Sequence, residues 1–151
     1  MAEERPSVPL VPASHHDLVA NAQAVTLVTL MPDGQPQASV VWCMYDGQNI
    51  LINMAAGTQK VRNLKRNPRA TVLAVDPKND FHYVEVRGWV TRLTTECAAE
   101  HMDDLSEHYT GKRPYYGEVM PMSVKTERML AVIEPTLILT FDMEWPPKLD
   151  A

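Results

Sequence analysis

A short basic stretch offers the clearest chemistry in the sequence. Lys60 and Arg62 follow Thr58, in the order expected where a strand ends and a helix begins. The free backbone N–H groups and the positive dipole end of a helix start attract anions, and the two side chains add full charges. Thr58 is predicted to cap this helix by accepting a hydrogen bond from one of those N–H groups. No acidic residue occurs between Asp46 and Asp76, so the stretch predicts a phosphate-binding site.

The same stretch also fits an ordinary solvated helix. Val61 and Leu64 would then face the core, while Lys60, Lys65 and Arg66 would face water. Spacing alone does not separate the two interpretations. The order of strand, small residues, N-cap and basic first turn favours the anion site, because this is how a backbone anion site is built.

Other reactive side chains form no recognised catalytic set. The sequence has no Gly-x-Ser-x-Gly or His-Glu-x-x-His motif, and Cys43 and Cys97 form no pair typical of a disulfide or zinc framework. His82 shares the apolar face of a predicted strand with Val84 and Val86, which predicts a core or rim histidine rather than a catalyst. An anion site with aromatic side chains but no nucleophile is typical of a protein whose cofactor carries the reaction.

Composition bounds the remaining possibilities. The chain has 151 residues and a formal net charge of -5, which predicts one domain and argues against a nucleic-acid or anionic-membrane binder. Residues 1–13 contain three prolines and predict a mobile, extended arm before a single domain at 14–151. We expect a cytoplasmic protein without a metal site, because the sequence shows no signal peptide, membrane-length apolar run or histidine cluster.

The periodicity predicts a mainly β fold with a few helices. We expect a short helix from Ser14 to about Asn21, and a meander of three strands joined by turns at Asp33-Gly34 and Asp46-Gly47. The predicted strands are 24–31, 36–45, 48–54, 69–75, 81–93, 128–133 and 136–141, and a long helix covers 94–109. Gly88, inside the longest strand, marks a bulge or a close approach. Seven largely antiparallel strands predict a small closed β-barrel.

Three segments resemble a known family. Residues 33–39, the Lys-x-x-Asn-Leu-x-x-Asn-Pro-Arg run within 60–72, and residues 86–90 resemble the split β-barrel superfamily of pyridoxamine 5'-phosphate oxidase-like flavoproteins. More closely, the chain resembles the branch that uses the deazaflavin coenzyme F420, over about residues 14–142. The resemblance implies a homodimer of split barrels with each cofactor in a groove between the subunits.

The resemblance also implies a set of cofactor-binding residues. Those expected near the phosphate and acidic tail are Lys60, Arg62 and Asn63, together with Thr58 and Gln59 in the preceding turn. Those expected along the ring and the groove wall are Ser39, Val41, Trp42, Asn53, Met54 and Ala55, with Tyr83 as a polar contact on the long strand.

The predicted second strand, 36–45, bears on the choice of cofactor. It has no charged residue, whereas the FMN oxidases of the family carry an arginine and a lysine there, and their C-terminal arginine motif is also absent from residues 144–150. The leading hypothesis is therefore an F420-dependent reductase that transfers hydride to an activated double bond of a small planar acceptor. The alternatives are an FMN-binding reductase or oxidase of the same fold and a non-catalytic deazaflavin carrier. The sequence does not identify the proton donor, and His82, Tyr83 and Tyr115 are candidates. Tyr115 lies in an aromatic loop at 110–117. This loop could close over a flat ligand, or it could simply connect two elements.

Overall fold

The computed structural model describes residues 7–149. Positions 1–6 of the predicted N-terminal arm therefore lie outside the described residues. The rest of the arm has no regular structure as far as Pro12 but is packed on the domain, because Val11 is 2% exposed and belongs to the core. Its N–H donates to the Tyr45 hydroxyl at 3.2 Å and its carbonyl lies 2.7 Å from His16 Nε2. These contacts anchor Val11 on the domain, and the mobility of the arm stays a prediction.

Seven strands and three main helices make up the described chain. The helices are α1 (His16–Ala20), α2 (Gln59–Arg66) and α3 (Ala98–Thr110), with short helical turns at Ala13–His15, Tyr115–Glu118 and Met122–Val124. The strands are β1 (Val25–Leu30), β2 (Pro36–Val41), β3 (Cys43–Tyr45), β4 (Ile50–Ala55), β5 (Arg69–Asp76), β6 (Asn79–Thr94) and β7 (Arg128–Asp142). Among the described residues, no helix is long and apolar enough to cross a membrane.

The seven strands form one antiparallel sheet in the order β2-β1-β5-β6-β7-β4-β3. The hairpins β1–β2 and β3–β4 confirm both turn predictions, but the three-stranded meander is wrong. The strand predicted at 36–45 is interrupted at Trp42, so that its first part pairs with β1 and its second part with β4. Because a single residue joins the two end strands of the sheet, and β2 also contacts β4, the sheet curls into a half-barrel. Its end strands β2 and β3 are linked through Trp42 but are not paired with each other.

The long strands β6 and β7 hold the centre of the sheet. The two strands predicted at 128–133 and 136–141 are one continuous strand, and Pro135 is accommodated opposite Gly88 where the register shifts. A Cβ at Gly88 would lie 2.3 Å from the carbonyl oxygen of Glu134. This confirms that the glycine marks a close approach and bulge, since any larger residue would collide with the partner strand.

Alternation along β6 separates two faces of the sheet. Val84 and Val86 are fully buried in the core, whereas residues of the opposite face remain in contact with water. We call that second surface the outer apolar face; its apolar residues are Leu73, Tyr83, Leu137, Leu139 and Phe141, and the ion pair of Glu85 with Arg87 lies among them. Its leucines and Phe141 are 36–45% exposed, an unusual quantity of apolar surface for the middle of a sheet.

Candidate ligand-binding groove

A groove of about 320 Å³ lies between the ends of β2 and β4, the start of α2 and the inner side of α3. Seven of the twelve predicted binding residues line it. These are Val41, Trp42, Asn53, Met54, Ala55, Thr58 and Lys60. Its other lining residues are Val40, Met102, Leu105, Tyr115 and Arg128. The structure thus brings the basic turn and the predicted ring-binding strand into one concave surface.

The start of α2 presents unused backbone donors. Thr58 occupies the N-cap position with an extended backbone, as predicted, but makes no side-chain capping bond. Instead its hydroxyl donates to the carbonyl oxygen of Ala55 at 2.8 Å. The predicted capping bond is therefore wrong. Because no side chain caps the helix, the N–H groups of its first turn remain available to a ligand.

Two cations, Lys60 and Arg128, line the groove together. Lys60 is half-buried, and its pKa is lowered first by burial and then by the positive charge of Arg128. Among residues 7–149, neither cation forms an ion pair with a carboxylate. Two partly desolvated like charges without a counter-ion are unfavourable. An anionic ligand would remove this penalty, so the groove is a candidate anion site.

Arg128 is held in place by Asn53. The Nε of Arg128 donates to Asn53 Oδ1 at 2.8 Å, and Asn53 Nδ2 donates to the Ala98 carbonyl at 2.7 Å and lies 3.2 Å from His101 Nδ1. Burial lowers the pKa of His101, which favours the neutral ring that can accept from Asn53. Asn53 therefore lies in the groove wall as predicted, but its polar atoms are used to fix Arg128 against α3.

Aromatic side chains form the opposite wall. The Trp42 ring stacks on Tyr109 with centroids 4.6 Å apart and an interplanar angle of 14°, and it meets the edge of Tyr115 at 6.3 Å. The Tyr109 hydroxyl donates to the Gln23 carbonyl at 2.8 Å and accepts from the Cys43 N–H at 3.1 Å. Burial raises the pKa of Tyr109, so the phenol stays protonated. Trp42 is thus backed by a ring that is itself anchored to the backbone.

Asn63 corrects the predicted set of anion contacts. Its side chain is fully buried, and its Nδ2 donates to Thr29 Oγ1 at 3.0 Å and lies 3.2 Å from Gln37 Oε1. Its Oδ1 accepts from Gln59 Nε2 at 2.8 Å. Asn63 faces the interior, where it ties α2 to β1 and β2, because a buried amide must find its partners inside the chain.

Three further predicted residues lie near the groove but outside its lining. Arg62 is exposed and donates to the Gly57 carbonyl at 2.8 Å, so it adds charge beside the helix start. Gln59 supports Arg62, because its Oε1 accepts from the guanidinium at 2.7 Å. Ser39 lies on β2 opposite Leu27 of β1 and is partly buried. None of the three lines the groove of the single chain.

Tyr83 and His82 lie away from the groove. The ring of Tyr83 stacks on Phe141 at 5.4 Å with an interplanar angle of 10°, on the outer apolar face. His82 is 13% exposed and sits between Asp17 at 3.5 Å and Asp142 at 3.3 Å. This confirms the prediction of a rim histidine.

Arg128 is the main residue that sequence reasoning missed. It opens β7 and pairs with Ala55 across β4, 68 positions after Lys60 in the chain. No motif surrounds it. The only available signal was that a cation follows a long loop and begins a strand whose next five residues are apolar.

Comparison with known proteins gives one family. The family model described as "Pyridoxamine 5'-phosphate oxidase" matches residues 11–140. Among solved structures, a protein named F420 Reductase is 29% identical with a TM-score of 0.74, over 85% of this chain and 98% of that chain. The conserved hypothetical protein Rv2991 from Mycobacterium tuberculosis is also 29% identical, with a TM-score of 0.70 over 93% of this chain and 90% of its own. HupZ of Group A Streptococcus, at 18% identity and a TM-score of 0.64 over 86% of this chain and 93% of its own, shares the fold.

Proposed function

Because the chain belongs to the pyridoxamine 5'-phosphate oxidase family, we propose that it is an oxidoreductase that uses coenzyme F420 to reduce an activated double bond of a small planar acceptor. The observation that carries the proposal is the pair of cations, Lys60 and Arg128, which line one groove beside an uncapped helix start and lack a carboxylate partner within residues 7–149. A protein that needs no counter-ion there would not keep both charges partly buried.

The groove residues fit an anionic planar cofactor. Lys60, Arg128 and the first N–H groups of α2 would hold its phosphate and acidic tail, with Arg62 adding charge from outside. Trp42 would pack against the ring, and Met54, which is 1% exposed, would support the wall behind it. When bound, the deazaflavin supplies hydride from ring carbon C5. With reduced F420 as the two-electron donor, the acceptor's double bond would take up that hydride together with one proton from water, and the groove residues would bind and orient the cofactor.

F420 is favoured over FMN by the chain and by one of its relatives. Strand β2 and the residues after it, 36–45, contain no charged side chain that could clamp a riboflavin phosphate. One of the two similar structures at 29% identity is named F420 Reductase. FMN stays the second candidate, because the family as a whole is described by an oxidase.

A second copy of the chain would complete the site. Three side chains of the outer apolar face are 42–45% exposed, namely Leu137, Leu139 and Phe141. A homodimer would remove this apolar surface from water. Tyr83 lies within this face, so dimer formation would bring it to a subunit boundary. The family resemblance implies that Tyr83 contacts the cofactor. We propose that the Tyr83 side chain reaches the groove of the partner copy.

Side-by-side titration with F420 and FMN tests the cofactor. We expect saturable F420 binding at one site per chain and weaker FMN binding, followed by acceptor-dependent oxidation of reduced F420. Tighter binding of FMN would replace F420 by FMN in the proposal. Tight F420 binding without turnover across quinones, enones and lactones would instead identify a carrier.

A surface variant tests the dimer. Leu139→Arg places a charge in the middle of the outer apolar face, whereas Leu10→Arg places the same charge on an exposed residue of the N-terminal segment. Sedimentation should give a dimer for the parent and Leu10→Arg and a monomer for Leu139→Arg. A monomeric parent, or a Leu139→Arg variant that remains dimeric, would contradict the proposed interface.

A further inference from the structure

A second cavity of about 700 Å³ adjoins the groove. The two share Met102 and Arg128, so the cavity opens on the other side of the arginine that the groove presents to an anion. Its remaining lining comes from α3 and from the loop between α3 and β7. These residues are Ala99, Asp103, Pro114, Tyr116, Met122, Lys125, Thr126 and Glu127.

The cavity differs from the groove in charge. The groove carries two cations and no acid, whereas the cavity balances Lys125 and Arg128 against Asp103 and Glu127. Most of its remaining wall is apolar. Such a site has no reason to prefer an anion, and its size falls within the range of about 300 to 1,000 Å³ usual for small-molecule pockets.

The loop that forms the outer wall is tethered to α3. The Tyr115 N–H donates to Asp103 Oδ1 at 2.8 Å, and the hydroxyl of Ser106 donates to the Lys112 carbonyl at 2.7 Å. Arg113 pairs with Asp104 on the same helix. These bonds fix the first part of the loop, residues 112–115, against α3. Farther along the loop, the thioether of Met122 supplies an adaptable surface for ligands of different shape.

We propose that this second cavity binds the acceptor and that it selects uncharged, largely apolar planar molecules. The assignment rests on the proposed function, since it names the substrate class of the same site. Arg128 and Met102 lie between the two compartments, so an acceptor in the cavity is adjacent to a cofactor in the groove. An anionic acceptor is disfavoured here, because it would lose hydration against a largely apolar wall while the two acids and two cations of the lining offer it no net attraction.

A matched pair of probes tests the selectivity without requiring turnover. Coumarin is a planar, uncharged lactone with a conjugated double bond, and coumarin-3-carboxylate adds one negative charge to the same frame. We expect equilibrium dialysis to show coumarin binding to the cofactor-free protein at least about tenfold more tightly than the carboxylate, the scale of a single unpaired charge. Equal or tighter binding of the carboxylate would overturn the selectivity.

A filled cavity tests the location. Met122→Trp enlarges a lining side chain that is 59% exposed, and Val124→Trp makes the same addition two residues away at a position that is 50% exposed and does not line the cavity. Because the larger ring takes up part of the space at the cavity wall, we expect Met122→Trp to weaken coumarin binding by at least about tenfold, a change of about 1.4 kcal/mol, and Val124→Trp to leave it unchanged. Unchanged coumarin affinity in a folded Met122→Trp protein, checked by circular dichroism, would place the acceptor elsewhere.

The cofactor provides a separate readout. F420 affinity should be the same in the parent and in Met122→Trp, and coumarin should still bind when F420 saturates the groove. Competition between coumarin and F420 would overturn the two-compartment assignment. Failure of F420 to bind would instead refute the proposed function, while the coumarin result in the two tryptophan variants would still show whether the cavity is a ligand site.

Discussion

Replacing Lys60 by alanine should weaken cofactor binding while leaving the free protein as stable as before, or more stable. A hydrogen bond to a charged group contributes about 1.5 to 3 kcal/mol, which corresponds to a loss of affinity of about 10- to 150-fold. In the free protein Lys60 lies beside Arg128 without a carboxylate partner in the described residues, and burial and that charge both lower its pKa. Removing it relieves a repulsion, so thermal unfolding should occur at an equal or higher temperature.

The same helix supplies the control for this experiment. Lys65 is exposed on α2 and does not line the groove, so Lys65→Ala removes an identical charge from the helix without touching the site. Fluorescence titration of F420 should show the loss in Lys60→Ala and in Arg128→Ala, with little change in Lys65→Ala. The double variant should lose less than the sum of both, because one anion satisfies both cations. Equal affinities for Lys60→Ala and Lys65→Ala would refute the assignment of the groove.

Three further predictions concern the scaffold. Gly88→Ala should destabilise the protein by about 1 to 3 kcal/mol in denaturant titration, since the new Cβ would meet the carbonyl oxygen of Glu134 at 2.3 Å; an unchanged midpoint would contradict this close approach. Burial raises the pKa of the Cys43 thiol to about 12 from 9.0, so a thiol reagent at pH 8 should label only the exposed Cys97, and stability should fall as pH rises from about 9 toward 12 because only the unfolded thiol ionises there. Burial lowers the pKa of His101 below its usual 6.5. The free energy of unfolding should therefore fall as the pH drops below about 6.5, because the unfolded chain takes up a proton first. His101→Gln should flatten this dependence of stability on pH.

The strands and helices followed from the sequence because each is marked by its own residues. Gly47 allows the turn between β3 and β4 with its positive φ of 96°, and the apolar positions Val61 and Leu64 fix the buried side of α2. These are local signals. The interruption at Trp42 is different, because nothing in residues 36–45 shows that one half pairs with β1 and the other with β4. The curl of the whole sheet decides which strands become neighbours. The pattern of apolar and polar residues along the sequence does not contain this information.

The candidate site divides in the same way. Thr58 and Lys60 were found because a helix start with a basic first turn has a recognisable order of residues. Asn63 was placed wrongly because it was expected at the anion from the family resemblance, and a matching motif does not show whether an amide turns inward, as this one does toward Thr29. A buried amide and a ligand-binding amide have the same sequence signature; only the partners differ.

The role of Arg128 could not be predicted from the sequence, although it is central to the proposed function. Its role depends on Asn53, whose Oδ1 accepts from the arginine while its Nδ2 is bound by α3, and on the distant Lys60, whose pKa it lowers. The unfavourable pairing of two cations exists only after β4, β7 and α2 have come together. Because folding itself would favour an ion pair at such a site, the lack of one for Lys60 and Arg128 within residues 7–149 is best explained by a negative charge that arrives from outside the chain.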